Sequence, residues 1–244
     1  MDVFDALEQQ EERLDAILSS LDEKHWEVES LCPGWTVRDV VLHLAQTEEA
    51  VLAALEGRTA PIPVQSATTI DEAMEAWVRS ERNADPHTVR ARWDRARRAA
   101  LRALRTADPD RAVAWAAAPL KPRTLATTRL AEHWIHTLDI ADPLRIEQPD
   151  GDHLRDIAWL AYRSLGYAFE RAGRGAPPTV RLELDSPAGE SWVFGPENAD
   201  CLIRGPAGQF CRVAARRLEA RAAPDLHATG TQCTEVLELV RTYA

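Results

Sequence analysis

The sequence predicts a mainly α protein with an α+β C-terminal part. Three observations carry that prediction. The first half holds four long stretches in which apolar residues recur every three or four positions, as in a four-helix bundle. After residue 147 that texture gives way to short alternating segments punctuated by Gly and Pro. Hydrophobic residues make up 45% of the 244, enough for a packed core. The expected domains are therefore a bundle over 1–147 and a small α+β domain over 148–244.

The first helix is expected over 3–21, where Phe4, Leu7, Leu14, Leu18 and Leu21 fall on one face. The second follows Pro33 and Gly34. Thr36 offers an N-cap and Asp39, three residues on, completes a variant capping box. Val37, Val41, Leu44, Leu52 and Leu55 form its stripe, and Gly57 ends it. The stretch "APIPVQSATT" reads as a loop. A helix from about Asp71 breaks at Asp85–Pro86 and resumes from Thr88 to about Arg105. "KPRTLATTRL" leads into a further helix that must stop near Pro143. In the second half, a helix over 151–172 precedes the breaker run "GRGAPP". "TVRLELD" and "ESWVFG", joined by "SPAG", read as a hairpin. "DCLIRG" reads as a strand, "PAGQFCRVAARRLEA" as a helix, "DLHATG" as a short strand, and the C-terminus as a helix.

A formal charge of −10 argues against general affinity for nucleic acid or an anionic membrane. The N-terminal stretch is acidic, without the basic flank of a signal peptide, and no run nears the ~20 apolar residues of a spanning helix. A cytoplasmic monomer or homodimer acting on a small molecule is the expectation. Cys32, Cys201, Cys211 and Cys233 form no CxxC pair, which argues against a thiolate zinc finger. All four are expected to be reduced, in structural or incidental roles. No phosphate-binding glycine loop is present.

The stretch "TTRLAEHWIHTLDIADPL", residues 127–144, concentrates the polar chemistry. Glu132 and His136 lie four apart, so a carboxylate and an imidazole stack on one helix face. Such a pair is either a solvated face or one wall of a metal site. A metal needs a third ligand, and His43, mid-helix beside an apolar stripe, is the candidate. Two histidines and a carboxylate leave coordination positions open and suit zinc or iron(II). His133 lies about 100° round the helix from His136 and is the weaker candidate. Asp139 is placed to orient an imidazole from behind. Glu48 interrupts its apolar stripe, as a supporting acid for the site or an interhelical partner. Nine arginines lie between Arg79 and Arg105, against three acids. Most suit a solvated helix face, while Arg82 is the one expected to clamp an acidic substrate. Arg129, one turn before Glu132, can pair with that carboxylate or meet a ligand.

The pair "LCPGWTVRDVVLHLAQTE" and "RLAEHWIHTLDIADPL" resembles the mycothiol-dependent maleylpyruvate isomerase family, part of the DinB-like metal-binding bundles. The tail, "ESWVFGPENADCLIRGPAGQFCRVAARRLEA" with "DLHATG", resembles an actinobacterial subgroup of metal-binding proteins. The resemblance implies a DinB-like bundle followed by a small domain somewhat like sterol carrier proteins. It implies His43, Glu132 and His136 as ligands of a divalent metal, typically zinc, and mycothiol as a thiol cofactor. The activity implied is a thiol-assisted isomerisation or transfer on a small unsaturated substrate. Two alternatives stand beside it. One is a Lewis-acid metal enzyme of specialised metabolism that needs no thiol; the other is a non-catalytic metal or small-molecule binding protein.

Overall fold

The structure is a computed structural model that describes residues 1–59, 69–115 and 118–242. The expected loop "APIPVQSATT" falls mostly outside the described residues. Contacts divide the chain into one unit spanning Asp2–Gln148 and another that begins at Pro149.

The first unit is a bundle of four long helices: α1 (Val3–Ser20), α2 (Val37–Leu55), α4 (Pro86–Thr106) and α5 (Pro122–Ala141). A shorter helix, α3 (Ile70–Glu81), precedes α4. Each start has a local cause. Asp2 accepts from the Phe4 amide, and Asp85 accepts from the Thr88 amide with Pro86 at the first position of α4. Thr36 and Asp39 form the reciprocal capping box that opens α2. Thr69 and Glu72 do the same for α3. Helix α2 packs chiefly on α4, and α1 on α5. Lighter α1–α4 and α2–α5 contacts close the ring. Leu14, Leu18, Val41, Leu44, Trp93 and Leu130 fill the interior. The arginine-rich helix is neutralised by its neighbours. Arg90 pairs with Asp15 of α1, Arg92 with Glu49 of α2 and Glu81 of α3, and Arg105 with Asp5 and Glu8.

The second unit holds a four-stranded sheet in the order β2 (Ser191–Phe194), β1 (Val180–Asp185), β3 (Cys201–Pro206), β4 (His227–Gly230). The hairpin expected from "SPAG" is antiparallel, with Leu182 opposite Phe194, while β1 and β3 run parallel. Val180, Leu182 and Leu184 face inward in alternation with Arg181 and Glu183. Gly205 has φ +137, and a Cβ there would lie 2.2 Å from the Asp225 carbonyl oxygen, so only glycine fits.

Three expectations are corrected. The single helix over 151–172 is two, α6 (Leu154–Arg163) and α7 (Leu165–Arg171), broken at Ser164 where ψ is 0°. Serine and the nearby Gly166 are weak helix formers, and the break falls there. The helix expected over 206–220 stops early, as α8 (Ala207–Ala214). Arg216 takes φ +60 in a Schellman turn, with the Arg217 amide bonded to the Arg212 carbonyl, and its guanidinium donates to the Glu238 and Leu239 carbonyls. Finally, Cys201 and Cys233 are joined in a disulfide, tying β3 to the last helix, α9 (Cys233–Leu239). Among the described residues, Cys32 and Cys211 lie outside any disulfide. Cys201 and Cys233 are 32 residues apart, and their pairing, against the expectation of four reduced cysteines, follows from the fold and from no local signal. Among the described residues, no helix is long and apolar enough to cross a membrane.

Candidate metal centre

The capping box fixes where α2 starts and therefore which way His43, two turns later, points. It points at α5. His43 Nε2 lies 3.4 Å from Glu132 Oε2, and His136 Nε2 lies 3.6 Å from the same oxygen. As hydrogen bonds these are long, against ~2.7–3.2 Å for a good one. As edges of a coordination shell they fit. A tetrahedral cation with bonds of about 2.0–2.2 Å separates its ligand atoms by about 3.3–3.6 Å. The two imidazole rings meet edge to face, 5.0 Å between centroids. Glu132 keeps 22% of its side-chain surface exposed, against 7% for His43 and 10% for His136. The trio is thus enclosed on the histidine side and open along the carboxylate.

Electrostatics separate the two histidines. Burial lowers the pKa of His43 despite Glu132 nearby, which leaves a neutral imidazole. Burial also disfavours charge on His136, but contacts with Asp139, Cys32 and Glu132 outweigh it and hold its pKa well above the usual value. Burial would raise Glu132, but His136, His43 and Arg129 keep it well below the ordinary carboxylate range. The carboxylate is therefore ionised and available to a cation.

Asp139 stands behind His136, its Oδ2 2.9 Å from Nδ1. Nδ1 donates to Asp139, so Nε2 is the nitrogen that faces Glu132, and a cation bound there would take the place of the Nε2 proton. Among the described residues His43 has no such partner, and its buried Nδ1 is unbonded. Its ring is instead held by packing, with Trp35 at 5.2 Å. Cys32, set aside on sequence grounds, lies in the same place. Its Sγ is 3.1 Å from Asp139 Oδ2 and 3.8 Å from His136 Nδ1. The cue was its position in the "CPGWT" turn, but nothing local ties that turn to a residue 107 positions later.

The remaining candidates are brought to other partners. Arg129 is almost wholly buried, donating to Glu48 Oε1 at 2.7 Å and to Thr47 Oγ1 at 2.8 Å, with a guanidinium nitrogen 4.0 Å from Glu132. Glu48 is the interhelical partner in that pair. Arg82 donates to Asp39 Oδ1 at 3.2 Å and to the Gly34 carbonyl, clasping the capping box. His133 points to the bundle interior. Its Nε2 accepts from Trp93 Nε1 at 3.2 Å, so its Nδ1 donates to the Arg129 carbonyl at 3.0 Å. Burial and the Arg129 charge push its pKa down to about 3. Glu11, Glu48 and His133 also come within ligating distance of one another. Both nitrogens of His133 are already committed, however, which makes that cluster a buried polar layer and a poor cation cage.

The comparisons agree with this picture of the fold. Two uncharacterized proteins of Mycobacterium tuberculosis, one from strain H37Rv and one from strain CDC 1551, are each 30% identical over 236 residues. The match covers 95% of this chain and 91% of each relative. The crystal structure of a mycothiol-dependent maleylpyruvate isomerase superposes with a TM-score of 0.63, covering 93% of this chain and 91% of that one, at 19% identity. A histidine-to-alanine mutant of that enzyme matches with the same TM-score and coverage, at 18% identity. At such identity the likeness is one of fold. The family described as the mycothiol maleylpyruvate isomerase N-terminal domain matches residues 7–141, a span that contains α2, α5 and all three converging side chains. The chain belongs to the mycothiol maleylpyruvate isomerase N-terminal domain family.

Proposed function

We propose that the protein is a metal-dependent enzyme of the isomerase kind. His43, Glu132 and His136 hold a divalent cation, of which zinc is the one the family resemblance implies, and a low-molecular-weight thiol such as mycothiol serves a small unsaturated substrate. The observation that carries this is the convergence of two Nε2 atoms on one ionised carboxylate oxygen at coordination-shell spacing. Family membership supports the thiol.

The bound cation would supply Lewis acidity, lowering the pKa of a thiol or water at its open position. The chain's own residues supply the rest. Asp139 keeps the proton on His136 Nδ1, so that Nε2 faces the site. Trp35 packs on His43 and keeps water from its ring. We assign Arg129 to holding Glu132 from beneath, and Arg82 to holding the capping box, in place of the substrate-clamping role first expected of Arg82. Substrate and thiol enter along Glu132, the exposed side of the trio. The reaction that suits this set is cis–trans isomerisation. A low-molecular-weight thiol bound here would supply reversible addition to an electron-poor double bond, chemistry that exchanges cis and trans forms with no atom gained or lost.

Elemental analysis of purified protein should show bound zinc or iron. It should be lost when His43, Glu132 and His136 are all replaced by alanine, and retention in that variant sinks the reading. A cis-alkenedioic acid should isomerise only when a low-molecular-weight thiol is added. Turnover without thiol would assign the centre to plain Lewis-acid catalysis.

A further inference from the structure

We propose that Cys32 is a positioning residue of this centre, its thiol fixing the carboxylate that aims His136. The inference rests on the metal reading above and concerns a residue that reading does not use.

Asp139 Oδ2 accepts two hydrogen bonds, from His136 Nδ1 at 2.9 Å and from Cys32 Sγ at 3.1 Å. The Asp139 carbonyl accepts a third, from the Leu31 amide at 3.1 Å. Two consecutive residues of the loop before α2 thus clamp one residue of α5. The loop itself is preset. The Cys32 amide donates to Ser30 Oγ at 3.1 Å, Ser30 Oγ donates to the Trp35 carbonyl at 2.8 Å, and Glu29 bridges to Thr36. Asp139 has no exposed surface, so solvent does not readily replace a lost donor. Remove the S–H and Oδ2 loses one of the donors that set its orientation, and with it part of what aims the imidazole. The partners that orient a ligating histidine typically influence cation affinity about 10–100-fold.

The test compares Cys32→Ala and Cys32→Ser with the unmodified chain by zinc titration against a chromophoric chelator. Thermal melting of the zinc-free proteins controls for folding. Serine offers an O–H at nearly the same point, whereas alanine offers none. The expected result is a loss of zinc affinity of about tenfold or more in Cys32→Ala. Most of it should return in Cys32→Ser, with both zinc-free variants melting close to the parent. Unchanged affinity in Cys32→Ala, or an equal loss in the serine variant, overturns the assignment while leaving the metal reading intact. If the parent chain binds no zinc at all, both fall together. A Cys32→Ala variant that melts much lower without zinc while its serine counterpart does not makes the thiol a structural clamp, and the positioning role is then rejected.

Discussion

Arg129 shows how one residue can be committed by its surroundings. Its guanidinium sits in the bundle interior against Glu48, whose Oε1 accepts at 2.7 Å while Oε2 has no hydrogen-bond partner among the described residues. Glu48 has its pKa raised, by burial first, with Arg129 opposing. Taking two charges out of water is costly, and removing one of the pair leaves the other uncompensated, which typically costs about 3–5 kcal/mol. Arg129→Met is therefore expected to lower the unfolding free energy by about that much, read from urea midpoints at neutral pH. The double variant Arg129→Met with Glu48→Leu should recover most of the loss. A single variant as stable as the parent would show that the pair is not buried as described. The same pair explains why the sequence alone leaves two roles open for each partner. A charged residue on a helix face says nothing of which neighbour it meets until the helices are packed.

Among the elements, α2 is the one whose start controls the centre. Its capping box fixes the first turn, and His43 follows seven residues after the cap, so the phase of the helix sets the imidazole's direction. Thr36→Ala removes the acceptor for the Asp39 amide and should cost about 1 kcal/mol, measured as a drop in urea midpoint with an unchanged slope. Thr36→Ser should lose much less, and equal losses would show that the cap is not what holds this turn. This element was legible in the sequence, because a Thr three residues before an Asp, ahead of an apolar stripe, is a local signal. So was the hairpin joining β1 and β2, with its "SPAG" turn between alternating segments. Glu132 and His136 were legible as a pair, since i,i+4 spacing is local too. What was illegible was long-range or lay in backbone detail. Cys32 meets Asp139 only once the loop folds onto α5. Cys201 and Cys233 pair only because β4 brings the chain back beside β3. Arg216 is not a residue type that announces a left-handed turn.

On the scale of the whole molecule, the bundle carries a polar layer in its core, and that layer makes stability depend on pH. Glu11 of α1 is buried, with neither carboxyl oxygen hydrogen-bonded among the described residues. It faces Glu48 of α2, Arg97 of α4, Arg129 and His133 of α5, and Glu8 along its own helix. Burial and then the Glu48 charge raise its pKa well above the ordinary glutamate value. Arg97, 3.7 Å away, offsets only part of this. Glu48 has Arg129 against it at hydrogen-bond distance, so of the two carboxyls Glu11 is the one that keeps its proton. The unfolded chain releases that proton near pH 4.5. Between that pH and the raised folded value, the native state binds more protons than the unfolded one. Stability then falls as pH rises, by up to about 1.4 kcal/mol per unit from this group. Below pH 4.5 both states hold the proton and the group contributes no slope. Glu11→Gln keeps the shape and the neutral amide while removing the titration. The variant should gain stability on the parent progressively from pH 5 toward pH 8, read as a widening gap between urea midpoints. The gap should become flat on approaching pH 4. A gap that stays constant across that range would mean Glu11 is ionised in the folded bundle, with Arg97 as its full counter-charge.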